Sequence, residues 1–153
     1  MKKHKILVLS GPNLNMLGKR EVAIYGGDTL ETIHERLHML ADELNVEVAC
    51  SQHNSDAEII ELLGRAAGEF SGVIFNAGAY AHYCDALRGA IESSRLPCIE
   101  VHMSNIYSRE EFRHKSVIAP VCAGCIMGFG GRSYLLALRA MRNIILDKEA
   151  EML

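Results

Sequence analysis

The chain has 153 residues, of which 49% are hydrophobic, and a formal net charge of −3. This length supports one hydrophobic core but not two ordinary domains, so we predict a single domain over residues 1–153. Positive and negative residues are interspersed, which excludes a basic face for nucleic acid and a polybasic patch for a membrane surface. The first apolar run covers only residues 6–9, far too short for a signal peptide or a membrane span. We therefore expect a cytoplasmic protein.

Five cysteines are present, which is an odd number. Cys50, Cys84 and Cys98 lie in apolar stretches typical of buried thiols, so we do not expect a disulfide scaffold. Cys122 and Cys125 form a CxxC motif, but no second pair and no suitably spaced histidines accompany it. We interpret both as packing residues near a strand and predict no metal site.

Short apolar runs alternate along the chain with segments of helical period, which is typical of an α/β protein. We predict that the helix beginning near Asp28 has a capping box with Glu31, and that a second helix has one between Ser55 and Glu58. The predicted strands are 5–10, 46–51, 72–76, 98–102 and 124–128, and the later helices are 82–94 and 132–147.

Strands that are separated by crossover helices form a parallel sheet with helices on both faces. Five such strands predict a flavodoxin-like three-layer sandwich with a five-stranded parallel sheet. Ligands in such folds bind outside the carboxyl ends of the strands, so the residues that directly follow each apolar run are the candidates for a site.

The segment after the first strand, GPNLNMLGKREVAIYGGD, is longer than most strand-to-helix connections. It contains Asn13, Arg20 and Tyr25. Glycines flank the stretch from Arg20 to Tyr25, a composition typical of a lid that closes over a site.

Polar groups also follow the third and fourth predicted strands. Asn76 ends the third, and His82 lies near the start of the next helix. In the fourth strand, alternation places Glu100 and His102 on the same face, where a carboxylate can orient an imidazole or stabilise its charged form.

Ser104, Asn105 and Arg113 follow the fourth strand closely. With the groups at the other strand ends they offer donors, a carboxylate and an imidazole, without a nucleophile-and-base motif. This set suits proton transfer on an anionic, oxygen-rich substrate.

Six motifs in order, GPNLNMLG, IYG, NAGAY, EVHMSN, REEFRH and GFGGRSYLLAL, resemble those of the type II 3-dehydroquinate dehydratases. The resemblance covers roughly residues 5 to 147. It implies dehydration of 3-dehydroquinate to 3-dehydroshikimate in the shikimate pathway, through an enolate and without a cofactor. It also implies a homo-oligomer, a dodecamer built from trimers.

The resemblance further implies catalytic roles for five residues. Tyr25, as tyrosinate, takes a proton from the carbon beside the ketone, and Arg20 favours its ionised form. Asn13 holds a water that stabilises the enolate. His102 protonates the departing hydroxyl, and Glu100 orients His102.

Five more residues resemble the family's substrate-binding positions. Ser104 and the backbone amide of Met103 bind the substrate carboxylate by this resemblance. Asn76, His82 and Arg113 bind its hydroxyls, and the rigid fork of an arginine suits such recognition.

The sequence departs from the family pattern at three positions. Ala77 and Val22 replace prolines that the family often has, which affects loop stiffness more than chemistry. Gly89 replaces an aspartate that reaches a neighbouring subunit's site, so substrate affinity or assembly is expected to differ. Two alternatives stay open: a flavodoxin-like module that binds a phosphate-bearing ligand, and a degenerate family member that serves as an assembly or regulatory protein.

Overall fold

The computed structural model describes residues 2–19, 22–25 and 27–153, with Val22 and Tyr25 described by their backbone only. Five parallel strands form one sheet in the order β2-β1-β3-β4-β5. This order places β1 at the centre and confirms the predicted flavodoxin-like parallel sheet. The strands are β1 Lys5–Ser10, β2 Glu47–Gln52, β3 Gly72–Asn76, β4 Cys98–His102 and β5 Gly124–Met127.

The helices cover both faces of the sheet, and a separate apolar cluster fills each interface. Side chains such as Ile6 and Val8 from β1 pack with α2 and α5, whereas Leu7 and Leu9 pack with α3 and α4. A strand buried on both faces reads as a continuous apolar run, which explains the sequence of β1. The helices are α1 Val22–Tyr25, α2 Leu30–Leu44, α3 Asp56–Ala66, α4 Asp85–Ser94 and α5 Arg132–Glu151.

The predicted cap of α2 is wrong by one residue. Thr29, not Asp28, is the N-cap: its hydroxyl accepts from the Thr32 amide at 3.1 Å, and the Thr32 hydroxyl accepts from the Thr29 amide at 3.1 Å. Asp28 instead pairs with Arg36 at 3.4 Å. Aspartate and threonine are both good N-cap residues, so a sequence that places them side by side does not determine which one caps.

Ser55 is the N-cap of α3, as predicted, and one of the two hydrogen bonds of the predicted capping box is present. The Ser55 hydroxyl accepts from the Glu58 amide at 3.4 Å. The Glu58 carboxylate lies 3.0 Å from His53 Nδ1 and so contacts the residue that follows β2.

Several predicted boundaries differ from the observed ones, and the strand predicted at 124–128 ends one residue earlier, at Met127. The strand predicted at 46–51 begins one residue later, because the Val46 amide donates to Ala41 O at 3.0 Å and closes the end of α2. The helix predicted at 82–94 begins at Asp85, since Gly78–His82 is a 3-10 helix that starts with Gly78 at φ +59°. The last helix continues to Glu151 through residues of high helix propensity.

Among the described residues no helix is both long and apolar enough to cross a membrane. All five cysteines are free thiols. Cys98 is buried and Cys125 is exposed, whereas the other three are half-buried.

Candidate active site

A cavity of about 180 Å³ lies at the carboxyl ends of β1, β3 and β4, next to the switch point of the sheet order. Seven of the predicted site residues line it, and Glu100 lies directly behind His102. Three buried apolar side chains, those of Leu14, Leu17 and Ile106, also line the cavity. The seven predicted residues are Asn13, Asn76, His82, His102, Met103, Ser104 and Arg113.

Glu100 and His102 form a buried pair, as the alternation along β4 predicts. His102 Nε2 lies 2.5 Å from Glu100 Oε2, and the side chains are 7% and 0% exposed. The Ser116 hydroxyl lies 2.9 and 2.8 Å from the two carboxylate oxygens, to which it donates. A buried carboxylate is costly without such partners, so both contacts stabilise the charged form of Glu100. Nδ1 is the ring nitrogen of His102 that is left for a ligand.

His82 lies beside this pair in a defined tautomer. Its Nδ1 donates to Lys115 O at 2.8 Å, and its ring stacks on that of His102 with the centroids 5.9 Å apart. Burial lowers the pKa of His82, and the nearby His102 and Arg113 lower it further, against the opposing effect of the Lys115 carbonyl. The imidazole is therefore neutral at pH 7, and its Nε2 offers a lone pair to a donor.

The side chain of Asn76 is fixed on two sides. Its Oδ1 accepts from the Gly78 amide at 3.1 Å, and its Nδ2 donates to the Tyr134 hydroxyl at 3.0 Å. Asn76 is 3% exposed, yet it lines the cavity. A ligand therefore meets an amide whose orientation is already set.

Two arginines follow β4 and line the same cavity. Arg113 Nε donates to Glu110 Oε2 at 2.5 Å, and its guanidinium lies 4.7 Å from the Phe112 ring centroid. Arg109 Nη1 donates to Ser104 Oγ at 3.4 Å. We did not predict Arg109 from the sequence, although it belongs to the same polar stretch as Arg113 and follows Ser104 by five residues.

The loop after β1 places Asn13 at the mouth of the cavity. Asn13 has φ +67°, a left-handed conformation that asparagine tolerates better than most residues. Its amide donates to Asn54 Oδ1 at 3.0 Å, and Gln52 Nε2 donates to both Gly11 O and Asn54 Oδ1 at 3.0 Å. The end of β2 thus supports the loop.

Two predicted catalytic residues of this loop segment are not placed by the structure. Arg20 lies outside the described residues, and Tyr25 is described by its backbone alone, as the last residue of α1. Their roles stay predictions.

Two further residues hold the site and were missed by the sequence analysis. Ser116 contacts Glu100 from 16 residues away, and Tyr134 contacts Asn76 from 58 residues away. No local pattern marks either one, because each contact is created by tertiary packing.

One set of donors near the site could in principle bind a metal ion: Glu100, His102 and Cys125, whose ligand atoms lie within 4.8 Å of one another. Glu100 and His102 are bonded to each other, and both carboxylate oxygens already accept from Ser116. Burial raises the pKa of Cys125 to about 12, which disfavours the thiolate that binds metals. The geometry suits an acid-base pair better than a metal centre.

The strand order and this cavity define a flavodoxin-like α/β protein with a polar cavity at the sheet's switch point. Residues 4–142 match the family described as dehydroquinase class II. The chain belongs to the class II dehydroquinase family, as the motifs predicted.

Relatives and solved structures agree with this assignment. The chain is 59% identical over 136 residues to the 3-dehydroquinate dehydratase of Pelotomaculum thermopropionicum, which covers 89% of this chain and 94% of that protein. It is 53% identical to the protein of the same name from Desulforudis audaxviator, over 92% of this chain and 94% of that one. The type II dehydroquinase of Butyrivibrio crossotus superposes with a TM-score of 0.88 at 42% identity, covering 91% of this chain and 97% of that chain.

Proposed function

We propose that this chain is a 3-dehydroquinate dehydratase, which converts 3-dehydroquinate to 3-dehydroshikimate in the shikimate pathway. The observation that supports this most directly is the buried Glu100 and His102 pair, which opens into a polar cavity in a chain of this family. The reaction is a hydro-lyase step: one C–H bond and one C–O bond of the substrate break, one C=C bond forms, and water leaves.

In the proposed mechanism His102 is the general acid. The hydroxyl that departs takes a proton and leaves as water, and a charged imidazole can supply that proton. Glu100, 2.5 Å away and fully buried, favours the imidazolium and fixes the ring so that Nδ1 faces the cavity. Ser116 keeps the carboxylate in place.

The base is Tyr25, as tyrosinate, with Arg20 favouring its ionised form and Asn13 holding a water beside the enolate oxygen. A water between protein and oxyanion stabilises charge nearly as well as a direct contact. The position of α1 supports this proposal: Ala23 and Ile24 border a second hollow that shares Met103, Ser104 and Arg109 with the main cavity.

The cavity wall supplies the proposed substrate contacts. Ser104 and the backbone amide of Met103 bind the carboxylate. Asn76 and Arg113 donate to hydroxyl oxygens, whereas His82 accepts a hydroxyl hydrogen at its neutral Nε2.

The enolate route needs no cofactor and no imine. An imine requires a desolvated lysine, and no lysine is among the described residues that line the cavity. Lys19 is the only lysine in the segment 11–28, and it is exposed. After incubation with substrate and borohydride, the protein mass is expected to stay unchanged; a reduced substrate adduct on a lysine would contradict the enolate route.

Assembly and location complete the proposal. The chain is a single domain that forms a homo-oligomer, a dodecamer built from trimers, and it has no nucleic-acid partner. Exposed aromatic side chains support a contact with other copies, since such residues are enriched in interfaces: Tyr83, Tyr107, Phe112 and Phe129 are 60% to 66% exposed. A cytoplasmic location is supported by five free thiols, which persist in reducing compartments. Sedimentation of the purified protein tests the assembly.

The decisive experiment is turnover of 3-dehydroquinate, followed by ultraviolet absorbance of the conjugated product. We expect turnover by the parent chain and a loss of at least about 100-fold in His102→Ala, since general acids contribute that much or more. Surface variant His38→Ala is the matched control. Binding of substrate without turnover by the parent would instead indicate a degenerate family member.

A further inference from the structure

Three buried residues form a hydrogen-bonded chain beneath the cavity. Ser10 and Asn76 are register partners at the ends of β1 and β3, and Tyr134 lies in the first turn of α5. The Tyr134 hydroxyl lies 2.9 Å from Ser10 Oγ and 3.0 Å from Asn76 Nδ2. Of the three, only Asn76 lines the cavity, so only Asn76 can reach a ligand there.

A backbone amide fixes the direction of this chain. Gly78 N–H donates to Asn76 Oδ1 at 3.1 Å, and because a backbone N–H can only donate, the amide oxygen has to face Gly78. Nδ2 therefore faces Tyr134 and donates to its hydroxyl, and the same hydroxyl is hydrogen-bonded to Ser10 Oγ. Burial raises the pKa of Tyr134 to about 12, so the hydroxyl keeps its proton at neutral pH.

The orientation of Asn76 has a consequence for ligand binding. One Nδ2 hydrogen is used by Tyr134, and the second is left for an acceptor. The opposite amide rotamer would set Nδ2 against the Gly78 N–H, two donors facing each other. Asn76 is thus prepared as a donor before any ligand enters, which lowers the entropy cost of binding.

We propose that Tyr134 is a positioning residue for substrate recognition, which holds the Asn76 amide so that its second Nδ2 hydrogen is directed at a substrate hydroxyl oxygen. The inference rests on the proposed role of Asn76 in binding 3-dehydroquinate. Tyr134 itself touches neither the substrate nor the reacting atoms, and its effect passes through Asn76 alone.

Steady-state kinetics with 3-dehydroquinate test the inference. Tyr134→Phe keeps the ring and removes only the hydroxyl, so Nδ2 loses its acceptor and the Asn76 amide is held by the Gly78 N–H alone. We expect KM to rise by about three- to tenfold, the size of one weakened hydrogen bond, and kcat to change less than about twofold. A merely structural role would lower the thermal midpoint without this separation of KM from kcat.

A matched control removes another buried hydroxyl from the same helix turn. Ser133 is fully buried, and its Oγ accepts from the Phe129 amide at 3.1 Å, away from Asn76. Ser133→Ala is expected to lower the thermal midpoint as Tyr134→Phe does and to leave KM unchanged. An equal rise of KM in Ser133→Ala would overturn the inference, because a general loosening of α5 would then explain both.

A double-mutant cycle separates this inference from the proposed function. Asn76→Ala is expected to raise KM, and Tyr134→Phe is expected to add nothing in that background. If Asn76→Ala leaves KM unchanged, the proposed role of Asn76 is wrong and the inference with it. If Asn76→Ala raises KM but Tyr134→Phe does not, or raises it equally in both backgrounds, only the inference is overturned.

A second variant covers the case in which Tyr134→Phe does not fold. Ser10→Ala keeps the tyrosine and removes the second hydrogen-bond partner of its hydroxyl, so the hydroxyl is held less firmly toward Asn76. We expect a smaller rise of KM, about twofold to threefold, that disappears in the Asn76→Ala background. An unchanged KM in a folded Ser10→Ala protein would overturn the inference.

Discussion

The two sides of the cavity are built differently. On the β3 and β4 side, Asn76, Glu100 and His102 are buried and hydrogen-bonded. Asn76 and Glu100 are held by Tyr134 and Ser116, which lie 58 and 16 residues away in the chain. On the side that follows β1, Asn13 is exposed, and its backbone amide donates to Asn54, which lies just after β2. The difference indicates that the proposed acid and the proposed substrate-binding groups are held in place before substrate arrives, whereas the residues proposed to supply the base belong to the segment that follows β1.

The largest expected effect tests the segment that follows β1. Tyr25→Phe keeps the ring and removes the proposed base, so we expect kcat to fall by about 10²- to 10⁴-fold while substrate still binds. Single-turnover absorbance measurements and a separate binding titration read the two quantities. A near-parental kcat would exclude tyrosinate as the base, and Tyr107→Phe, an exposed tyrosine, is the control.

The next effect tests the buried side. Ser116→Ala leaves the carboxylate of Glu100 with one hydrogen-bond partner fewer. We therefore expect the free energy of unfolding to fall by about 1 to 3 kcal/mol and kcat to fall by about tenfold. The pH profile of kcat is expected to shift, because the environment of the acid pair changes. Ser108, whose hydroxyl donates to Asn105 O at an exposed position, provides Ser108→Ala as a control that should change neither. An unshifted profile with normal kcat would mean that Ser116 only packs.

These residues also show how far the sequence could lead. The bounds of β1, β3 and β4 were predicted correctly, because each is a short apolar run buried on both faces. The Glu100 and His102 contact followed from alternation along one strand. Ser116 could not be found in this way, since its contact depends on how the segment after β4 folds back over the sheet.

The same limit applies to the N-cap of α2 and to Arg109. Asp28 and Thr29 are both acceptable N-caps, and packing decides between them. Arg109 and Arg113 are both cations in one polar stretch, and only the tertiary structure shows that both line the cavity. Local chemistry therefore predicted which strand ends bear the site, but not every side chain that completes it.

A smaller effect concerns pH and His82. Its lowered pKa means that the folded protein binds fewer protons there than the unfolded chain does. The stability that this group contributes is therefore present above the ordinary histidine pKa of 6.5 and is lost as pH falls through the lower pKa of the folded protein. Protonation also removes the Nε2 lone pair, so KM is expected to rise as pH falls through this lowered pKa.

His82→Gln separates these contributions, because glutamine can accept a hydrogen bond but does not titrate in this range. The variant is expected to have a raised KM at neutral pH and a flatter dependence of KM on pH in the acid range. A dependence as steep as that of the parent would assign the titration to another group, and His53→Gln, outside the cavity lining, is the control.

The smallest expected effect lies away from both sides of the cavity, at Gly89 on α4. A Cβ added there meets no described atom within 4 Å, and the residue is exposed, so an aspartate fits without strain within one chain. Gly89→Asp is expected to stabilise the helix by a few tenths of a kcal/mol, since glycine is the poorer helix former. If trimers form as proposed and the neighbouring site has room, the carboxylate should also lower KM by about twofold to threefold or tighten assembly, as one added hydrogen bond would. Gly89→Ala is the matched control because it gains at least as much helix propensity as the aspartate does, without the charge. Kinetics and sedimentation that respond equally to both variants would show that helix stability, and not a contact between subunits, is the cause.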